Sequence, residues 1–183
     1  RREDILREVR DAVSRGLSEI FLLGQNVNSY RSGDKGDFVD LLEDAHAIEG
    51  VKEITFTSSH PRDSGIRLFK AVGGLERVKK WLHLPFQSGS DRVLKAMNRK
   101  HTSDQYLRLI DRIRAARPDI MLTSDFIVGF PGESDQDHAA TLRLVEQVGF
   151  GTAFSFKYSP RPGTPAFGRE MVADEVADAR LQE

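Results

Sequence analysis

Apolar residues along the chain switch repeatedly between the spacing of a helix and that of a buried strand. Helical spacing between positions 5 and 13 ends at Gly16, and the short apolar run at 19–23 then predicts a strand. Thr102 and Gln105 are spaced as a capping box that begins a later helix. The other predicted helices lie near 38–48, 66–72, 93–97, 106–116, 134–148 and 175–183, and the other predicted strands at 53–57, 81–84, 120–128 and 152–156. The pattern is a repeating unit of helix followed by strand.

Strands that alternate with helices predict a parallel sheet with right-handed crossovers, and therefore an α/β fold. Two architectures satisfy this pattern, a doubly wound open sheet and a (β/α) barrel of the triosephosphate-isomerase (TIM) type. Both place a binding site at the carboxyl ends of the strands. Because the first predicted element is a helix, we expect the first strand to lie upstream of Arg1 and residues 1–183 to be a fragment of one domain.

The stretch 124–134 combines a buried strand with a turn that suits a ligand. Its apolar run at 126–130 is typical of a strand covered on both faces, and a proline and a glycine then end the strand. Glu133 and Ser134 supply capping chemistry for a following helix. Gly129 has no Cβ, so a flat ligand such as a purine could lie against the backbone there.

Polar or glycine-rich residues occur at the ends of all five predicted strands. The amides of Gln25 and Asn26 can both donate and accept hydrogen bonds, which suits a ribose or an amino acid. Asp125 lies inside an apolar strand, where a carboxylate needs a partner. The candidate residues at these ends are Gly24, Gln25, Asn26, Ser58, Gln87, Ser88, Asp125, Ile127, Val128, Gly129, Lys157, Tyr158 and Arg161. Together they predict a binding site along the carboxyl edge of the sheet.

The composition limits which other sites the chain can carry. Lys and Arg number 27 against 28 Asp and Glu, so there is no overall field that would hold a polyanion. Basic residues nevertheless gather locally at Arg92, Lys95, Arg99, Lys100 and His101. Two interpretations of this group stay open, a contact with phosphates and an ordinary solvent-exposed surface. The chain contains no cysteine, which excludes thiolate metal ligands within these residues, and its histidines show no metal-binding spacing.

The hydropathy of the chain predicts a cytoplasmic protein without a membrane partner. No apolar run approaches the length of a bilayer span, and the amino terminus lacks the basic and then apolar pattern of a secretory leader.

Four segments, taken in order, resemble those of the radical-SAM methylthiotransferases. They are LGQNVNSY at 23–30, HLPFQSGS at 83–90, DFIVGFPGE at 125–133 and FSFKYSPRPGTP at 154–165. The first is similar to the signature of the MiaB-type enzymes, which add a methylthio group to a prenylated adenosine beside the tRNA anticodon. RimO-type enzymes, which modify a ribosomal protein, carry a different sequence at that point.

The resemblance implies a partial (β/α) barrel, the radical-SAM core, that holds S-adenosylmethionine (SAM) across its open top. By position, Gly24, Gln25 and Asn26 match the motif that contacts the methionine amino group. Gln87 and Ser88 are implied to contact the ribose. The adenine is implied to lie against Ile127, Val128 and Gly129, with Tyr158 nearby. Asp125 is implied in the surrounding polar network, and Ser58 is a further cofactor candidate. Lys157 and Arg161 are implied on the substrate side.

The resemblance also implies parts that this sequence does not contain. Family members carry a CxxxCxxC triad that ligates a 4Fe-4S cluster, further cluster-binding cysteines upstream, and a carboxyl-terminal RNA-binding TRAM domain. We therefore expect an enzyme fragment that positions SAM without performing the reaction. We expect the intact protein to use tRNA and an external reductant, and the fragment to self-associate through an exposed barrel edge.

Alternative functions remain open on the sequence alone. The intact enzyme could be a methylthiotransferase for another substrate, either a ribosomal protein or a different tRNA adenosine. The chain could instead be a nucleotide-binding or phosphometabolite-binding α/β module without redox chemistry, although neither GxGxxG nor a P-loop is present. A third possibility is a cluster-free relative that retains only binding.

Overall fold

A computed structural model describes residues 1–33, 36–57 and 65–183 of the chain, in which helices and strands alternate as the pattern predicted. The helices are α1 (Arg2–Ser14), α2 (Phe38–Ala47), α3 (Ile66–Gly74), α4 (Asp91–Ala96), α5 (Ser103–Ala116), α6 (Asp135–Val148) and α7 (Asp174–Gln182), with a short 3-10 helix at Val27–Ser29. The strands are β1 (Glu19–Leu22), β2 (Glu53–Phe56), β3 (Trp81–His83), β4 (Met121–Val128) and β5 (Thr152–Lys157). The chain divides into two compact units, residues 1–84 with 111–121 and residues 85–110 with 122–183.

Several helix ends have the capping chemistry that the sequence predicted. Gly16, with a φ of 87°, follows α1 and donates its N–H to a carbonyl of the last helical turn. Thr102 and Gln105 form a reciprocal capping box at the start of α5, with distances of 3.1 and 3.2 Å. Ser134 caps α6, which ends at the left-handed Gly149. No helix in the described ranges is long and apolar enough to cross a bilayer.

The first unit contains a parallel sheet covered on one face by α2. β1 pairs with β2 in parallel, and the segment at 77–79 extends the pairing because Ile54 donates to Arg77 O at 2.7 Å. Ile54 and Phe56 are buried on the α2 side, where Phe56 meets the ring of Phe38 edge-on at 5.0 Å. On the opposite face Phe21 is half exposed. One face of this sheet therefore forms core and the other does not.

The second unit is built around Phe86, whose ring is fully buried. Its ring centroid lies 5.4 Å from that of Phe126, 5.7 Å from that of Phe150 and 5.8 Å from that of Tyr106. Burial raises the pKa of the Tyr106 hydroxyl, although a hydrogen bond with Ser124 acts in the opposite direction. These aromatic contacts fix the segment before residue 87 against β4.

The two faces of the β4 and β5 pair differ sharply in burial. The strands are parallel, with Asp125 opposite Phe154 and Ile127 opposite Phe156. Ser124, Phe126 and Val128 point into the core, whereas Asp125 and Ile127 are half-buried. Phe154 and Phe156 are 54% and 51% exposed. Side chains alternate between faces along a strand, so Asp125, Ile127, Phe154 and Phe156 share one uncovered face.

Candidate functional site

The loop after β1 carries Gly24, Gln25 and Asn26 in the first unit. Thr57, just after β2, anchors this loop because its hydroxyl donates to Gly24 O at 3.3 Å and accepts from Gly24 N–H at 3.4 Å. Asn26 is half-buried and begins the short 3-10 helix. The Gln25 side chain is exposed and has no hydrogen-bond partner among the described residues. Its amide is therefore available to a ligand. Ser58 lies outside the described residues.

Gln87, in the second unit, occupies a strained turn beside β4. Its φ is 69°, and Ser88 N–H donates across it to Phe86 O at 2.9 Å, which makes a γ-turn. Gln87 N–H donates to Asp125 O at 3.0 Å, and Ile127 N–H donates to Gln87 O at 2.9 Å. Strain of this kind is retained where the surroundings enforce it, and it concentrates at functional sites. The structure thus brings together Gln87, Asp125 and Ile127.

The backbone after Gln87 is packed tightly against α6. Gly89 N–H donates to Thr141 Oγ1 at 2.9 Å, and a Cβ on Gly89 would lie 2.3 Å from Ala140 O. Ser88 is completely buried, with its hydroxyl 3.4 Å from Thr141 Oγ1 and bonded to Ser90 N–H. Ser88 is therefore used within the protein and has no exposed surface for the ligand contact predicted for it.

The turn after β4 holds Gly129 in a left-handed conformation with a φ of 70°. The sequence predicted room for a flat ligand where a Cβ would be, but that Cβ would lie 2.8 Å from the Cβ of Ala177 on α7. Glycine is required here by its backbone angle and by this contact. Val128 is completely buried, whereas Ile127 is half-buried on the uncovered face. Gly129 itself is buried, so the surface that remains partly open here is the Ile127 side chain.

Tyr158 and Arg161 lie in the loop that follows β5. Tyr158 N–H donates to Val128 O at 2.9 Å, and its ring meets Phe130 edge-on at 5.0 Å. The loop is then anchored by Ala166, which is buried beside Phe130. Arg161 is exposed and has no ion-pair or hydrogen-bond partner for its side chain among the described residues. The exposed Arg161 guanidinium therefore lies on a loop whose backbone is anchored at Tyr158 and Ala166.

Lys157, predicted on the substrate side, is paired with α7 instead of being free. Its Nζ lies 2.7 Å from Asp178 and 2.9 Å from Asp174. The hydrogen bonds to Asp178 and then to Asp174 raise the pKa of Lys157 above its ordinary value. Its charge is already compensated by these two carboxylates.

Asp137 joins the starts of α4 and α6. It accepts hydrogen bonds from Ser90 Oγ at 2.5 Å, from Ser134 N–H at 2.8 Å, and from Arg92, which also donates to Gly132 O at 2.7 Å. Burial raises the pKa of Asp137, but the hydrogen bonds from Arg92, Ser134 and Ser90 outweigh it, so the pKa lies well below its usual range. This network fixes the loop after Gln87 to the turn after β4.

Three residues with roles in this region were missed or underrated in the sequence. Arg99 is part of the basic group, but burial lowers its pKa, and its guanidinium has no partner among the described residues. Glu133 caps no helix; it accepts from Gly129 N–H at 2.7 Å and pairs with Arg180. A glutamate four residues after a turn glycine was the available signal for the first contact. No sequence signal pointed to the role of Arg180.

The described ranges hold no group of three His, Cys, Asp or Glu side chains that could bind a metal ion.

Comparison with known proteins gives a family and a group of relatives. Residues 1–145 match the model of the radical SAM superfamily. The chain is 61% identical over 183 residues to tRNA-2-methylthio-N(6)-dimethylallyladenosine synthase of Paracoccus denitrificans, and 55% identical over 184 residues to the protein of the same name from a Jannaschia species. These alignments cover 98% of the chain but 41% and 40% of the relatives. The chain thus spans less than half the length of these proteins.

Solved structures of low sequence identity share the fold. Coproporphyrinogen III oxidase from Escherichia coli, a radical SAM enzyme, matches 99% of the chain with a TM-score of 0.70 at 15% identity, over 44% of its own length. The radical SAM methyltransferase TsrM from Kitasatospora setae, solved with cobalamin and a 4Fe-4S cluster, matches 91% with a TM-score of 0.70 at 12% identity, over 32% of its length. The predicted α/β class and the radical-SAM core are thereby confirmed.

Proposed function

Because the chain belongs to the radical SAM superfamily, we propose that it is the SAM-binding part of a tRNA methylthiotransferase. The intact enzyme would add a methylthio group to a prenylated adenosine next to the anticodon. The observation that carries this proposal is the identity of 53 to 61% to synthases of that modification over 97 to 98% of the chain. Since those proteins are more than twice as long, the reaction and the tRNA substrate are inferred for the whole protein.

The side chains at the strand ends fit the parts of SAM. In the first unit the Gln25 amide, which has no hydrogen-bond partner among the described residues, suits the methionine amino group, as does the neighbouring Asn26 by its position. In the second unit the Gln87 amide suits a ribose hydroxyl, and the half-buried Ile127 supplies an apolar surface for a purine. Arg99, half-buried without a partner among the described residues, suits a carboxylate. Taken by chemical type, these groups suit an amino acid joined to a nucleoside.

The chemistry of the reaction requires more than this chain contains. A bound SAM beside a reduced 4Fe-4S cluster would supply the radical chemistry on which this class of reaction depends. The chain has no cysteine, so thiolate ligands for such a cluster would come from outside these 183 residues. Its own residues would bind and orient SAM, and an external reductant would supply electrons. We therefore infer that the chain by itself binds SAM but does not modify tRNA.

On the substrate side, Arg161 is the better candidate for a contact with tRNA. It is exposed, it has no side-chain partner in the described ranges, and prolines on both sides restrict its backbone. Lys157 is paired with two aspartates and would have to leave them to reach a phosphate. We propose that Arg161 pairs with the RNA backbone near the modified base and that Lys157 serves mainly to hold α7.

The proposal is tested in the full-length enzyme with its clusters reconstituted. Wild type is expected to bind SAM and to methylthiolate tRNA that carries prenylated adenosine. Gln25→Ala and Arg99→Met are each expected to weaken SAM binding on the order of tenfold, because each removes a polar group that is proposed to bind SAM. Arg143→Met, at an exposed arginine of α6, is the matched control and should leave binding unchanged.

Two results would contradict the proposal. A wild-type enzyme that binds a nucleotide or a sugar phosphate in preference to SAM would point to the metabolite-binding alternative. If the full-length enzyme bound SAM but modified a ribosomal protein instead of tRNA, the protein would belong with the RimO-type methylthiotransferases.

A further inference from the structure

Glu133 is a completely buried carboxylate that holds the turn after β4. Its side chain is 0% exposed, and its Oε2 accepts a hydrogen bond from Gly129 N–H at 2.7 Å. Its own N–H donates to Phe130 O at 2.8 Å, so both ends of the residue close the same turn. The other carboxylate oxygen, Oε1, is buried without a hydrogen-bond partner in the described part of the chain. A charge in this position requires compensation.

Arg180 of α7 provides that compensation. Its side chain is 7% exposed, and Nη1 lies 2.8 Å from Glu133 Oε2 and 3.2 Å from Glu133 O. Nη2 binds Asp135 Oδ1 at 2.7 Å, at the first residue of α6. One guanidinium therefore contacts the carboxylate, the backbone of the turn and the start of the next helix. Its planar fork makes these contacts at once, which an ammonium group cannot do.

The same helix also touches the turn directly. Ala177 lies one helical turn before Arg180 and therefore on the same side of α7. The Cβ of Ala177 lies next to Gly129, and a Cβ added to Gly129 would be only 2.8 Å from it. Gly129 is thus held from two directions, by Glu133 at its N–H and by Ala177 at its Cα. Both contacts depend on the position of α7.

We propose that Arg180 is a positioning residue for SAM, because it fixes the Glu133 carboxylate that holds the Gly129 turn, two residues after the half-buried Ile127 side chain that is proposed to face the purine. The inference rests on the proposed function, since it assigns the Gly129 turn to the adenine side of the cofactor. Arg180 touches no ligand itself. Without its guanidinium, Glu133 is left as a buried charge without its ion partner, and the turn must open so that water can reach the carboxylate. This opening releases Gly129 N–H.

The test uses Arg180→Met and Arg180→Lys in the full-length, cluster-loaded enzyme. Arg180→Met keeps an unbranched apolar side chain but removes the charge and the hydrogen-bond donors, and is expected to weaken SAM binding on the order of tenfold, as is typical when a residue that orients a binding group is lost. Arg180→Lys should recover only part of the affinity, because it keeps the charge without the fork. Hydrogen exchange of the backbone at 126–134 is measured in parallel and should become faster in Arg180→Met.

A double variant and two controls separate positioning from general loss of structure. Glu133→Gln combined with Arg180→Met removes the buried charge while leaving an acceptor for Gly129 N–H, and should bind SAM more tightly than Arg180→Met alone. Arg169→Met changes an exposed arginine and should have no effect. Asp178→Asn weakens another attachment of α7, through Lys157, and should leave both SAM affinity and exchange at 126–134 unchanged.

The outcomes distinguish this inference from the proposed function. If wild type binds SAM and Arg180→Met binds it equally well, the positioning role is wrong while the function stands. If Arg180→Met lowers affinity and the Glu133→Gln double variant lowers it further, the role of charge compensation is wrong. If wild type does not bind SAM, the proposed function itself fails, whereas faster exchange in Arg180→Met would still report the contact with Glu133.

Discussion

Ser90 donates its hydroxyl to Asp137 at 2.5 Å, and through this bond the residue that caps α4 is joined to the first turn of α6. The bond crosses 47 positions of sequence and connects the loop after Gln87 with the turn after β4. Two loops proposed to hold different parts of one cofactor therefore cannot move independently. Their relative position is set by a buried polar network and not by the sheet alone.

Replacing Asp137 should change how stability depends on pH. Its pKa is lower in the folded chain than its ordinary value of 3.8, so its contribution is present above that value and is lost as the pH falls through the folded pKa. Asp137→Ala should lower the free energy of unfolding by about 1–3 kcal/mol at pH 7, because Ser90 and Ser134 lose their acceptor. The difference from wild type should shrink below about pH 4.

Chemical denaturation at pH 7 and at pH 3 measures both effects. Asp104→Ala removes an exposed aspartate that pairs with the exposed Arg108 and serves as the control. A difference between Asp137→Ala and wild type that is the same at both pH values would rule out the carboxylate as its source.

Gly89→Ala should destabilise the chain strongly for its size. The added methyl group would lie 2.3 Å from Ala140 O, which belongs to helix backbone and cannot turn aside. The expected loss is about 1–3 kcal/mol, the range for overpacking, with a lower thermal midpoint. Gly74→Ala is the matched substitution, since its methyl group would meet no atom within 4 Å, and it should be neutral or slightly stabilising. Equal melting temperatures for the two variants would show that α6 can give way.

Gln87→Gly should raise stability and lower SAM affinity together. Glycine adopts a φ of 69° without strain, so the free energy of unfolding should increase by about 1 kcal/mol. The same change removes the amide proposed to reach the ribose, and SAM binding should weaken. Asn98→Gly is the control, because Asn98 also has a positive φ, of 59°, but no proposed ligand role. Thermal melts and SAM titrations of the full-length enzyme that moved in the same direction for Gln87→Gly would refute this trade-off.

Replacing Phe154 and Phe156 by threonine should reduce self-association of this chain. Both side chains are about half exposed on one face of β5, beside a strand edge that is unpaired within the described residues. Threonine keeps strand propensity and removes most of the apolar area. Sedimentation velocity should show a shift toward monomer, whereas Phe167→Thr, at an exposed loop position, should not. An unchanged distribution would mean that association uses another surface.

The sequence predicted what is local and periodic. The helix that ends at Gly16 and the capping box of Thr102 and Gln105 involve neighbours in the chain, and both are present as expected. Apolar spacing also located the five strands of the described ranges to within about one residue at each end. The polar strand ends followed from the same pattern, because parallel strands place their carboxyl ends at one edge.

What the sequence did not reveal depends on contacts between distant residues. Lys157 looked like a free cation, since its partners Asp174 and Asp178 lie in a helix that follows a long loop. Gly129 looked like space for a ligand, although Ala177 fills the position of its missing Cβ. The γ-turn at Gln87 follows from its hydrogen bonds to β4, which no propensity of glutamine predicts. Such features are fixed by tertiary packing, which overrides local preference.

The pairing of Glu133 with Arg180 also sets an order of assembly during synthesis. The two residues are 47 positions apart, which at usual translation rates of 5–20 residues per second corresponds to roughly 2–9 s between their appearance. Until α7 has been made, the nascent chain contains β4 and its turn but no guanidinium to close them. A premature stop just before Arg180 would leave the strands β1 to β5 in place. The Glu133 carboxylate that holds the Gly129 turn would nevertheless have lost its ion pair with Arg180.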